Sequence, residues 1–93
     1  MRIVWSPTAI ENLIEIRTYI EQDKPSAAAR VARKIVESVQ GLARHPYLGR
    51  PGRDPGTREL VVTGTPYLVP YEVYKGRVVV LAVLHGARLN PGA

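Results

Sequence analysis

Cysteine is absent from this chain of 93 residues. That excludes disulfides and thiolate metal sites, and it suits a reducing compartment. Only two histidines are present, His45 and His85, forty residues apart, and they make no metal site. No apolar run approaches the length needed to span a bilayer, and the opening MRIVWSP lacks the apolar core of a signal peptide. Together these absences predict a cytoplasmic protein forming one small domain over residues 1–93, with no metal, no cofactor and no membrane contact. A core of this size is near the lower limit of what folds without staples.

Cations are in excess. Thirteen Lys and Arg face eight Asp and Glu, giving a formal charge of +5 and a pI near 10.0. Such a balance favours an acidic partner, whether nucleic acid, a nucleoprotein machine or an acidic protein. It is equally compatible with plain solubility.

Residues 2–5, RIVW, have strand composition and stop at Ser6-Pro7, an N-cap followed by a proline suited to the first helical position. Ala9, Leu13, Ile16 and Ile20 then recur at helical spacing, flanked by Ile10 and Ile14, which predicts one wide apolar stripe. Asp23-Lys24-Pro25 ends this helix and Pro25 can open the next. The second helix buries Ala28, Val31, Ala32, Ile35, Val39 and Leu42 and turns Arg30, Arg33, Lys34 and Glu37 outward. Gly41 predicts a loosened last turn, and Pro46 ends it. A break this short makes the two helices an antiparallel hairpin.

Residues 46–58, PYLGRPGRDPGTR, hold six prolines and glycines and read as a turn-rich loop carrying Arg50, Arg53 and Arg58. The last third is β. Strands are expected over 58–63, 67–74 and 77–84, with Lys75-Gly76 as a two-residue type I′ turn. Pro70 predicts an irregularity in its strand. The fold class is therefore α+β in the order β-α-α-β-β-β. The helical hairpin packs on one face of a small, mainly antiparallel sheet, with the first strand at an edge.

In VVVLAVL, residues 78–84, strict alternation sends Val78, Val80, Ala82 and Leu84 one way and Val79, Leu81 and Val83 the other. Both faces are then apolar, although two helices can cover only one. The proline-rich loop or a curled sheet could cover the second face. The preferred occupant is a segment of a partner.

Several phrases occur in order along nearly the whole chain. They are W-S-P-x-A at 5–9, Asp23-Lys24-Pro25 with its alanines, Pro46 through Gly52, and Gly56-Thr57-Arg58-Glu59-Leu60. Pro66-Tyr67, Tyr71-Glu72-Val73 and His85-Gly86-Ala87-Arg88 follow. With this element order the sequence resembles the RelE/ParE superfamily, the toxin halves of bacterial type II toxin–antitoxin modules. Two chemistries are implied by that resemblance. RelE-type toxins cut mRNA on the ribosome with a basic cluster on the sheet. ParE-type toxins have a similar fold, bind DNA gyrase and carry no known catalytic residues. Where the RelE pattern places an arginine after the tyrosine, this chain has Leu68. The strand that would carry lysines reads Glu59-Leu60-Val61-Val62, and LNPGA holds no terminal tyrosine. In-line RNA cleavage needs a base, an acid and a cation for the phosphorane, and Arg88 alone does not supply them.

The resemblance thus implies a gyrase-binding toxin, not an enzyme, neutralised by a ParD-like antitoxin and without sequence-specific DNA binding of its own. The alternative is a ribosome-dependent mRNA interferase using His85 and Arg88. Expected target-binding residues are His85, Arg88, Leu89, Asn90, Arg50 and Arg53, the last two only if the loop folds back on the sheet. Expected antitoxin-binding residues are Arg58, Tyr67, Tyr71, Tyr74, Leu81 and Val83. His85 reads first as a polar strand terminator, and at least one of the three tyrosines as core.

Overall fold

The structure is a computed structural model that describes residues 1–86. Strand β1 (Arg2–Trp5) leads into helix α1 (Pro7–Glu21), helix α2 (Pro25–Gln40) and a 3₁₀ turn over Gly41–Ala43, the loosened turn expected at Gly41. Five strands follow: β2 (Arg50–Pro51), β3 (Arg58–Val61), β4 (Tyr67–Tyr74), β5 (Arg77–Val80) and β6 (Leu84–His85). The sheet order is β1-β5-β4-β3-β2, with β6 also against β4. Strand β1 lies at an edge, as expected, and runs parallel to β5; the other pairings are antiparallel.

The helix entry follows its sequence signal. The Ser6 Oγ accepts the Ala9 N–H at 3.0 Å while donating to the Leu81 carbonyl at 3.1 Å. One hydroxyl therefore caps α1 and ties it to the far end of the chain. The two helices contribute Ala9, Ile35 and Val39 to the core and the 3₁₀ turn adds Leu42, against Leu60, Val69, Tyr71, Val78 and Val80 from the sheet and Val62 just after β3. Each fully buried aliphatic side chain there contributes about 1.5–3 kcal/mol. The stripe on α1 is narrower than its sequence suggests. Leu13, Ile16 and Ile20 pack on the core, but Ile10 is 46% and Ile14 59% exposed. On α2, Val31 and Ala32 are only half-buried.

The continuous strand expected over 77–84 is broken. Strand β4 pairs Tyr71 with Val80 in β5 but Leu68 with Leu84 in β6, so residues 81–83 face only residues 69–70. This one-residue excess is a β-bulge. Its cause lies in the partner strand. The Pro70 carbonyl accepts the Leu81 N–H at 2.9 Å, so the N–H that proline lacks would have pointed at the same strand. Because the bulge shifts parity by one, Val83 joins Val78 and Val80 in the core instead of facing away from them. The Lys75-Gly76 turn is type I′ as expected, with φ of 50° and 75°.

Candidate target-binding and partner-binding surfaces

The turn-rich loop folds back as a β-hairpin. Arg50 pairs with Glu59 and Pro51 with Arg58, and the ladder continues through Gly52 N–H to the Thr57 carbonyl at 2.8 Å. The tip closes where the Thr57 N–H and hydroxyl both donate to the Asp54 carbonyl, at 3.1 and 2.6 Å. Two anchors fix the hairpin base. On the helix side, the Arg58 guanidinium donates to the carbonyls of Tyr47 (3.2 Å) and Gly49 (2.8 Å) and lies 5.0 Å over the Tyr47 ring centroid. On the opposite side, Glu59 is a buried charged residue, 8% exposed. Its Oε1 accepts Nε and Nη2 of Arg50 at 3.4 and 3.3 Å, and its Oε2 accepts the Arg53 N–H at 3.4 Å.

His85 lies elsewhere. In β6 it pairs with Tyr67 at the start of β4, and the two rings meet edge to face with centroids 5.6 Å apart. They border a cleft of about 350 Å³ between β6 and α1, to which Asn12, Glu15 and Tyr19 also contribute. Arg58 pairs with Tyr71, four residues further along β4, which is about 13 Å at the usual strand rise. His85 shares the helix-covered face with Tyr67, whereas Arg50 and Glu59 sit on the other face. The structure therefore splits the expected target-binding set into two places. Arg88, Leu89 and Asn90 lie outside the described residues.

A third surface runs between the helices. A groove of about 570 Å³ is floored by Leu13, Ile14, Ala29, Ala32 and Val36 and rimmed by Arg17, Arg33 and Glu37. Sequence reasoning assigned Ile14 to the core and so missed it. Ridge width on a helix depends on what packs against it, and that is not written in periodicity.

The expected antitoxin-binding residues also divide. Tyr67, Tyr71 and Val83 are buried in the core, because the helix-side face of β4 and the bulge carry them inward; of the three, Tyr67 and Val83 reach the cleft beside His85. The Tyr71 hydroxyl instead accepts the Gly49 N–H and donates to the Pro46 carbonyl, both at 2.8 Å. Arg58 is held by loop carbonyls. Tyr74 is 53% exposed on the face away from the helices, with the Lys75 ammonium 5.3 Å from its ring centroid, and half-buried Leu81 lies further along the sheet beside Pro70. Val61 is exposed on that same face, while Leu68 is buried. Two further residues have positioning roles that the sequence reading did not assign. Asn12 accepts the Val83 N–H, and Glu59 holds the arginine hairpin. A carboxylate within an otherwise apolar strand was the one available signal for Glu59.

Among the described residues, no cluster of three or more His, Asp or Glu is placed to hold a metal, and no helix is long and apolar enough to cross a membrane.

A helical hairpin laid on one face of a small mixed sheet is the architecture of the RelE/ParE toxins. The family described as the ParE toxin of the type II toxin–antitoxin system parDE matches residues 3–90, and the chain belongs to it. It is 48% identical over 90 residues to a protein of Sinorhizobium fredii named as toxin Y4kP, covering 97% of this chain and 93% of that one. Toxin RelE2 of Caulobacter vibrioides is 39% identical over 88 residues, covering 95% and 98%. Among solved structures, a chain of the chromosomal ParDE toxin–antitoxin system of P. aeruginosa superposes with a TM-score of 0.84 at 26% identity, covering 91% of this chain and 95% of that one. A chain of the RelBE2 toxin–antitoxin complex of Mycobacterium tuberculosis shares the fold with a TM-score of 0.65 at 24% identity, covering 90% and 95%.

Proposed function

We propose that this type II toxin acts by binding DNA gyrase and that a ParD-like antitoxin, made beside it in the cytoplasm, holds it in check. The observation that carries this reading is the chemistry at two sheet positions. Leu68 is buried, and Glu59 is a carboxylate already committed to Arg50 and to the Arg53 backbone. A superfamily ribonuclease would need cations there to stabilise a phosphorane. Binding then replaces catalysis, with His85 and the segment after it, and separately Arg50 and Arg53, as the target-facing residues. The test is a supercoiling assay with purified gyrase. The toxin is expected to block supercoiling and to raise the yield of gyrase-cleaved DNA. Untouched gyrase together with mRNA cut on translating ribosomes would overturn the reading.

The antitoxin reading rests on the apolar surface left open. An amphipathic, acidic antitoxin segment would fill the groove around Ile14, whose rim carries Arg17 and Arg33, and would reach Tyr74 and Leu81 on the far face of the sheet.

A second reading, the mRNA interferase, is favoured by the relatives named RelE and by the cleft whose lining includes both His85 and Glu15. An Arg88→Ala variant that still binds ribosomes but no longer cuts would establish it.

A further inference from the structure

The three loop arginines do different work. Arg58 is turned back onto its own loop, its Nη1 donating to two backbone carbonyls and its guanidinium lying over the Tyr47 ring. The Arg50 side chain is 60% exposed and meets Glu59 along one edge only, which leaves its other N–H groups outward. Arg53 is exposed, and its side chain has no hydrogen bond or ion pair among the described residues, although its backbone N–H is fixed by Glu59. We propose that the β2–β3 hairpin is a phosphate-contacting finger, in which Arg53, assisted by Arg50, grips the phosphodiester backbone of the DNA that gyrase holds. The proposal rests on the gyrase reading and names the ligand of one part of that surface.

Glu59 is the first support. A carboxylate buried in a sheet loses hydration that contacts of 3.3–3.4 Å return poorly, so its presence is weakly explained by stability. What it does achieve is orientation. One carboxylate fixes the Arg50 guanidinium and the Arg53 backbone together, on a hairpin stiffened by Pro51 and Pro55 and closed by Thr57 on Asp54. A guanidinium held on a rigid backbone suits the geometry of a phosphate.

Composition at the tip is the second support. Residues 51–57 include no aromatic and no branched aliphatic side chain. Protein–protein hot spots set arginine beside buried Trp or Tyr anchors. Phosphate contacts need none, because they are polar and serve to position. Asp54 is the one carboxylate in residues 50–58; against three arginines it leaves a net charge of +2. Such contacts carry no sequence preference.

The test follows binding to a short labelled duplex of mixed sequence across a salt titration. Arg53→Gln is expected to flatten the slope of log K against log salt by about 0.9, and the Arg50→Gln, Arg53→Gln pair by up to about 1.8. Arg30→Gln on α2 serves as the control and leaves the slope unchanged. A wild-type slope for Arg53→Gln, an equal loss for the Arg30 control, or no duplex binding by the wild type at low salt would each overturn the finger. Glu59→Gln separates orientation from charge. Removing an anion should strengthen DNA binding on charge alone, whereas lost orientation weakens it; tighter binding by this variant, at an unchanged melting temperature, overturns the positioning role. In a gyrase cleavage assay Arg53→Gln should be about tenfold less potent than wild type. Equal potency overturns the proposal, while a wild type that leaves gyrase untouched sinks the gyrase reading and leaves the duplex result to stand by itself.

Discussion

The side-chain oxygen of Asn12, on α1, accepts the backbone N–H of Val83 at 3.0 Å across 71 residues of sequence. That N–H sits in the bulge, where the ladder between β4 and its neighbours is interrupted. Asn12 and the Ser6 hydroxyl each satisfy one backbone group of the bulge, the Val83 N–H and the Leu81 carbonyl. They therefore hold the register shift that places β6 and His85.

Asn12→Ala leaves the Val83 N–H without its partner and is expected to cost about 1–3 kcal/mol in urea unfolding. Asn12→Asp keeps an acceptor and should lose far less. Amide exchange at Val83 and His85 should quicken in the alanine variant and stay slow in the aspartate one.

Tyr71→Phe removes a buried hydroxyl that serves both Gly49 and Pro46. The two backbone groups lose their partner, at about 1–3 kcal/mol. Gly49→Ala should be destabilising for a different reason. A Cβ there would stand 2.6 Å from the Tyr71 ring and 2.8 Å from the Glu59 carbonyl. Thermal melts of both variants check this, and a Gly49→Ala protein as stable as wild type would show that the base of the arginine hairpin yields easily.

Ile14→Glu is expected to change stability by no more than about 0.5 kcal/mol, because the side chain is 59% exposed. Ile35→Ala, at a fully buried position, should cost about 2–5 kcal/mol. Calorimetric titration with the cognate antitoxin then supplies the second readout. Ile14→Glu should weaken binding at least tenfold, and unchanged affinity would remove the helical groove from the antitoxin interface.

Lys75→Asn is expected to stabilise the protein by about 0.5 kcal/mol, since Lys75 holds a left-handed backbone that Asn-Gly turns accept more readily. The contact between the Lys75 ammonium and the Tyr74 ring is lost in exchange. A lower melting temperature would show that this contact outweighs the backbone term.

The local signals in the sequence were reliable where the chain itself supplies the cause. Ser6-Pro7 marked the start of α1, Pro25 the start of α2, Gly41 the change to a 3₁₀ turn and Lys75-Gly76 the hairpin. Gly41 acts through weak helix propensity at an ordinary φ of −60°, and the others rest on a hydroxyl, a ring or a positive φ belonging to the residue named. Pro70 marked an irregularity for the same reason. The shift of Val83 into the core was not legible, because it depends on which strand Pro70 turns its missing N–H toward.

The candidate surfaces divide along the same line. Residue identity alone determined that there is no thiol chemistry, that the charge is positive, and that Leu68 and Glu59 stand where a nuclease would need cations. Tertiary structure alone decided that Tyr67, Tyr71 and Val83 are core, that Ile14 faces outward, and that Arg53 is left available while Arg58 is held. Composition and period report what a residue can do. Whether it is free to do it depends on partners brought from distant parts of the chain, as Gly49 is to Tyr71 and Asn12 to Val83.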